Sequence, residues 1–454
     1  MRFPTGPQPP LRETEFVCLL AGIQALQALA IDVMLPALGE ISRDLGVTDP
    51  NHRQLTIGVF LICSGVGSLF PGAIADRFGR RPVVMVCLAI YVALSLASAL
   101  VWDFNALLAL RGLMGLFVSG LLVMPMAIIR DRFSGDRMAR VQSLVAMTFM
   151  VVPMLAPTVG QSVMLVANWR WIFAVMAILA SALLIWVWLR LPETLHPDYR
   201  QTIKPGVIIG NMAEVLRCRA SIGYLLGAAM MQGVMFGWLN SSQQLLVEHF
   251  GAGTMFPLIF GGIALTMSGM NFVNASIVER FGARRVSQTA VIVYILIAAV
   301  HLLSLLRGEG LWSFVPFIAA SMCLVTFIGS NFASISLQPF SRTAGAASSI
   351  TAFTRLLIGA LLGTVIGQVY DGTAIPLFIA MTIGGSVTLA LVFYSERGVL
   401  FRRLNPPPLK AEAGRGASRL NPAAAEQLDE ADDQGDHQQQ VDDACRHLKN
   451  DDAQ

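Results

Sequence analysis

The sequence predicts an all-α membrane protein with twelve transmembrane helices in two six-helix bundles. Three observations predict it. Only 13% of the 454 residues are charged and 55% are hydrophobic, whereas a soluble domain carries about 25% charged residues. Such a chain lacks the side chains to cover a water-facing surface. Apolar runs recur at roughly the 20-residue length that crosses about 30 Å of hydrocarbon. A short charged signature also occurs twice, at equivalent places in two halves.

The elements follow in chain order. Residues 1–15 are polar and Pro-rich and form a cytoplasmic N-terminus; no cleavable leader is expected. The first bundle covers 16–190, with spans at 16–38, 54–75, 83–102, 105–129, 139–165 and 170–190. Residues 191–219 form a polar central link. The second bundle covers 220–395, with spans at 220–245, 254–277, 287–306, 312–335, 344–369 and 373–394. The tail, 396–454, begins with a basic anchor (Arg402, Arg403, Lys410) and continues Asp/Gln-rich, a composition that predicts disorder.

Orientation follows from the loop cations, because arginine and lysine stay on the cytoplasmic side. One set of loops carries Arg77, Arg80, Arg81, Arg130, Arg132, Arg137, Arg140, Arg190, Arg200, Lys204, Arg217, Arg219, Arg280, Arg284 and Arg285. The opposite loops offer Arg43, Arg53, Arg170 and Arg307. Both termini are therefore expected inside. The net charge of +3 gives no reason to expect nucleic acid. Six cysteines without CxxC spacing read as small buried hydrophobes, not as a disulfide framework or metal site.

The repeated signature is "GAIADRFGRRPVV" at 72–84 and "ASIVERFGARRVS" at 275–287. Asp76 aligns with Glu279, Arg77 with Arg280 and Gly79 with Gly282. Two parallel repeats about an axis normal to the membrane suit a transporter. Gly79 permits a tight turn. Asp76 can pair with an arginine or a helix N-terminus, and Arg80 and Arg81 sit at the lipid headgroups. A pair broken on one side of a transport cycle would act as a latch.

These residues resemble the major facilitator superfamily, in its twelve-span drug:proton antiporter branch. "GAIADRFGRRP" is similar to the loop signature, with Gly72, Asp76, Arg77, Gly79, Arg80 and Arg81. "LRGLMGLFVSG" is similar to the fourth-helix motif, with Arg111 and Gly115. "MLAPTVGQ" is similar to the fifth-helix antiporter motif, with Ala156, Pro157 and Gly160; Gln161 replaces a glycine there. "IDVMLPAL", "WRWIF" and "GAASSITAFTRLLIGALLG" resemble the Bcr/CflA subgroup of bicyclomycin and chloramphenicol exporters. The likeness spans about 14–395. It implies export of drugs by proton antiport across a bacterial inner membrane, with no cofactor beyond the proton gradient. Some related exporters carry a second acid two turns before the first-helix aspartate; here Gln24 stands there.

The expected proton-coupling pair is Asp32 and Arg111. An acid at the centre of a span costs at least about 2.5–3.5 kcal/mol on insertion scales, so it faces a cavity or a partner. A site that holds either a proton or a cationic or polar compound couples the two by competition. Asp32 and Arg111 lie at similar depths, roughly 9 and 8 Å from one face at 1.5 Å per residue. Arg355, without an acidic partner in the second half's spans, could attract an anionic or carbonyl-bearing compound. Gln24, Gln232, Asn240 and Asn331 are candidate polar cavity residues. Met34, Met150, Met235 and Phe236 could line an adaptable apolar site. Gly359, Gly363 and Gly367 form a small-residue packing stripe.

No P-loop, metal cluster or catalytic triad appears in the sequence, so an enzyme is not expected. The expected partners are a small-molecule substrate, protons and the bilayer, with the chain a monomer. The alternative on the same fold is a proton-coupled importer or facilitator of a metabolite. A membrane sensor that uses the tail as a binding element is a third class.

Overall fold

A computed structural model describes residues 12–49, 51–133, 135–195, 215–305, 308, 310–340 and 344–401. All regular secondary structure among them is helical. In the first half, α1 (Glu13–Asp32) leads through a 3-10 turn (Leu35–Ala37) into α2 (Leu38–Asp44). A second 3-10 turn (His52–Gln54) precedes α3 (Leu55–Gly67), α4 (Phe70–Phe78), α5 (Arg80–Ala99), α6 (Phe104–Arg132), α7 (Gly135–Val166) and α8 (Arg170–Arg190). In the second half, α9 (Arg219–Gln243) runs into a π-helical turn (Gln244–His249). After a 3-10 turn (Gly253–Met255) come α10 (Phe256–Phe281), α11 (Ala283–Leu305), α12 (Leu311–Leu337), α13 (Ala344–Gln368) and α14 (Ile375–Ser395).

Among the described residues, ten helical segments are individually long and apolar enough to cross a membrane. The bent pair His52–Gly67 and Phe70–Phe78 makes an eleventh, and α7 holds the shorter apolar stretch Leu155–Val166. Large apolar side chains such as Val86, Ile178, Leu258, Leu296 and Val365 face outward. A water-soluble surface would not tolerate that many.

Three predicted spans, 16–38, 54–75 and 220–245, are not single regular helices. In the first, Pro36 has no N–H to give the carbonyl of Asp32, so the helix stops there. The Val33 N–H closes it on Leu29 O at 3.2 Å, and the Met34 N–H turns to Ile31 O at 3.3 Å. In the second, Pro71 cannot donate to Gly67, and the pair bends by 49°. The third ends in a π turn without a proline. Proline alone does not decide the matter: α6 runs through Pro125, α7 through Pro153 and Pro157, and α12 through Pro316. Neighbouring helices and side chains can take up the freed carbonyls. Most of the central link, the Arg402–Arg403–Lys410 anchor and the tail beyond Phe401 lie outside the described residues.

Within the first half, α6 packs on α3 and α5, α5 on α8, and α1 on α6, α7 and α8. Within the second, α9 packs on α12, α13 and α14, and α11 on α12 and α14. The halves meet where α3 and the His52–Gln54 turn pack on α13, where α7 packs on α10, and where the Leu35–Ala37 turn packs on α9. Small residues set these approaches. A side chain on Gly115 would strike the Phe60 carbonyl of α3, and one on Gly65 would meet the backbone of Leu357 on α13 at 2.8 Å.

Candidate functional site

Asp32 is the last residue of α1 and is 5% exposed. Its carboxylate carries no hydrogen bond or ion pair among the described residues. A side chain on Gly160 of α7 would collide with the Val33 carbonyl and meet Pro36 Cγ at 3.0 Å. The antiporter-like motif thus lies against the helix break that follows the acid. Ala156 and Pro157, one turn earlier, are buried.

Arg111 is fully buried on α6. It does not pair with Asp32. Nη2 donates to Ala30 O at 2.8 Å, Nε to Thr56 O at 3.2 Å and Nη1 to Met114 Sδ at 3.4 Å. Its guanidinium lies 4.4 Å from the Phe60 ring centre. The physical reason is local: with Met34 N–H bonded to Ile31, the break leaves the Ala30 carbonyl open to the guanidinium. Arg111 ties α6 to α1 and α3, and the acid two residues on is left unpaired.

The second half's candidates fall in different places. Gln232, Phe236 and Asn240 share the α9 face that meets the α13 glycine stripe. Side chains on Gly359 and Gly363 would strike Gln232 and Phe236, and Asn240 donates to Gly363 O at 3.2 Å. Those three residues therefore pack helix on helix. Asn331 of α12 is clamped to Asn274 of α10 at 2.9 Å and to Phe327 O at 2.8 Å. Arg355 is half-buried on α13, and its Nε is buried without a partner among the described residues. Gln24 and Met235 are half-buried and Met34 fully buried. The side chain of Met150 lies outside the described residues.

At the arginine-rich end, Arg80 bridges Asp76 at 2.6 Å and Asp131 at 2.9 Å. Glu193 accepts the backbone N–H groups of Arg80 at 2.9 Å and Arg81 at 3.3 Å, capping α5. Arg81 Nη2 donates to Trp188 O at 2.6 Å. Gly79 has φ +103 and Gly282 φ +85, a region that favours glycine, so the two turns match. Gly72 faces open space, and Arg77 lies exposed over Phe78 at 5.3 Å. In the second half, Glu396 takes the acid's place. It accepts from Arg284 at 2.8 Å and from Tyr224 Oη at 2.6 Å, and Gln288 donates to Tyr224 Oη at 3.0 Å. The side chain of Glu279 lies outside the described residues.

Glu193 and Glu396 are functional candidates that sequence reasoning missed. Their signal was available: 203 positions separate Asp76 from Glu279, Gly79 from Gly282 and Glu193 from Glu396 alike.

A third network lies at the arginine-poor end and joins the halves. Arg53 pairs with Glu248 at 2.5 Å, and Gln54 donates to Gln244. Asn51 donates to Gln368 O at 3.1 Å and Tyr370 O at 2.9 Å, and Gln368 returns a bond to Asn51 O at 2.8 Å. Gln244 also donates to Asn51 Oδ1 at 3.3 Å. These residues sit in short loops outside the apolar runs, where Arg53 counted only toward orientation. Nearby, Asp44 binds Arg170 at 2.5 Å and the Trp169 indole at 2.9 Å within the first half.

The profile of the Major Facilitator Superfamily matches residues 20–364. A bicyclomycin resistance protein homolog of Haemophilus influenzae is 26% identical over 84% of this chain and 95% of its own length. The multidrug resistance protein MdtL of Klebsiella pneumoniae is 29% identical over 84% of this chain and 96% of its own. A chloramphenicol resistance protein of Pseudomonas aeruginosa is 28% identical over 83% and 89%. Among solved structures, a D-xylose–proton symporter superposes with TM-score 0.65 at 13% identity, covering 84% of this chain and 97% of its own. A bacterial homolog of the lysosomal transporter Spinster gives 0.63 at 15%, covering 86% and 96%; both likenesses speak for the fold. With the repeated loop, the intramembrane arginine and the all-helical body in view, this chain belongs to the Major Facilitator Superfamily and is a transporter, not an enzyme.

Proposed function

We propose that the chain exports drugs and other small toxic compounds across the bacterial inner membrane in exchange for protons. Twelve spans in two six-helix bundles, with α7 as the fifth and both termini cytoplasmic, rock about a central site. The observation that carries this reading is Asp32: a buried carboxylate with no hydrogen bond or ion pair among the described residues. A buried unpaired charge is costly, and a bound proton or cationic cargo relieves that cost. Competition for this one acid couples inward proton flow to outward cargo movement, with one proton per cycle. Arg111 holds the helix break beside it. Gln24, Met34, Met235 and Arg355 contribute to the cargo site; Gln232, Phe236, Asn240 and Asn331 shape it through the helix contacts they hold. The resistance proteins among the relatives support a drug-like cargo.

The test compares inverted membrane vesicles containing wild type or Asp32→Asn. With a proton gradient imposed, wild type concentrates a fluorescent cationic dye or chloramphenicol, and a protonophore abolishes the uptake. Asp32→Asn loses gradient-driven uptake while the purified protein stays folded. Gradient-driven uptake by Asp32→Asn at the wild-type rate overturns the coupling role. A reversal potential that needs two protons per cargo overturns the stoichiometry.

A further inference from the structure

We infer that Arg53 and Glu248, framed by Asn51, Gln54, Gln244 and Gln368, form the gate that closes the exit side and must part in every cycle. Placing the exit at this end rests on the proposed orientation; the gate itself rests on geometry. Among the described residues, six side-chain hydrogen bonds, one of them an ion pair, cross between the halves in this cluster. It is therefore a polar seam along which the halves can separate.

Three features distinguish a gate from a permanent weld. First, its residues ride on irregular turns. Arg53 and Gln54 sit on a 3-10 turn, and Gln244 and Glu248 on the π turn. Such turns exchange hydrogen-bond partners at lower cost than regular helix and recur at functional sites. Second, the network is incompletely satisfied. Among the described residues, Arg53 Nε, Gln54 Oε1 and Gln243 Oε1 are buried with no protein partner. A fixed buried network would be expected to satisfy such atoms. Third, it is built mainly of neutral amides, whose bonds water replaces at small net cost. Its one ion pair has a buried cation and a carboxylate side chain that is 42% exposed, so water already reaches one side.

The seal is close-fitting. A side chain at Gly367 of α13 would collide with the Gln54 amide oxygen. One at Gly39 of α2 would lie 3.6 Å from Arg53 Nη1 and from Gln243 Nε2. The segment beyond the first-helix break thus leans on the ion pair from the side.

The experiment uses the full chain with its six cysteines replaced by alanine or serine and one reporter, Thr56→Cys, a turn below Arg53. A membrane-impermeant thiol reagent is applied to intact cells and, separately, to inverted vesicles, with no proton gradient. Labelling is expected from the gate side and slow with the gate intact. Arg53→Ala and Glu248→Gln each raise its rate about fivefold or more, the scale expected for losing one charge-assisted pair. The exchange Arg53→Glu with Glu248→Arg restores slow labelling. Unchanged labelling in both single variants overturns the gate. So does faster labelling that the exchange leaves uncorrected while the melting temperature stays at the wild-type value. Because the readout needs neither cargo nor protons, it stands or falls separately from Asp32; labelling from inverted vesicles alone would reverse the orientation and leave the gate intact.

Discussion

The two ends of the molecule use charge in opposite ways. At the arginine-rich end, two networks each stay within one half: Asp76–Arg80–Asp131 with Glu193 in the first, Arg284–Glu396–Tyr224 in the second. At the arginine-poor end, the Arg53–Glu248 cluster bridges the halves. The first arrangement makes each half internally cohesive. The second makes their association adjustable. A two-part transporter needs both properties, and here they are divided between opposite faces.

This contrast can be broken experimentally. The largest stability loss is expected for Glu396→Ala, which leaves the half-buried Arg284 and the buried Tyr224 hydroxyl without their partner; removing one side of a buried pair costs about 3–5 kcal/mol. A thermal melt in detergent should fall by several degrees. Glu193→Ala removes a cap from two backbone N–H groups of α5, and caps are worth about 0.5–2 kcal/mol each. The two changes should add to within about 0.5 kcal/mol, because their networks share no partner. Arg53→Ala and Glu248→Ala should instead be non-additive, since both remove the same ion pair and the second adds only the loss of the Gln243 donation to Glu248 at 3.3 Å; full additivity would mean that the pair is not coupled. The smallest effect is expected for Asp44→Asn. Its pair with Arg170 is exposed, so the change should register only at low salt and vanish at high ionic strength.

Much of the fold was legible because hydrocarbon imposes length and composition on a spanning helix. The repeat was legible because one turn needs glycine at Gly79 and again at Gly282. The breaks in the first and second spans were not. Pro36 and Pro71 interrupt their helices, whereas Pro125 and Pro157 do not, so the presence of proline alone does not place a break. The break at Pro36 also explains why Asp32 and Arg111 are not paired in this structure. Equal depth suggested attraction, but the break at Pro36 exposes the Ala30 carbonyl, and the guanidinium takes that instead. Among the cavity candidates, Gln232, Phe236 and Asn240 looked available only because the glycines opposite them lie more than a hundred residues away in sequence. The gate escaped notice because hydropathy windows pass over short polar turns, although the amide runs "NHRQ" and "NSSQQ" stood in plain view.

The π turn at Gln244–His249 has an evolutionary consequence. Such a turn is an α-helix carrying one residue too many. Deleting a single residue there would return the segment to regular α-helix and rotate everything beyond it by about 100°. Glu248 would swing away from Arg53, and the chain would keep its hydropathy profile, its repeat and its buried acid. An insertion of one amino acid is therefore enough to give an ancestral helix its lock, and a one-codon deletion is enough to take it away.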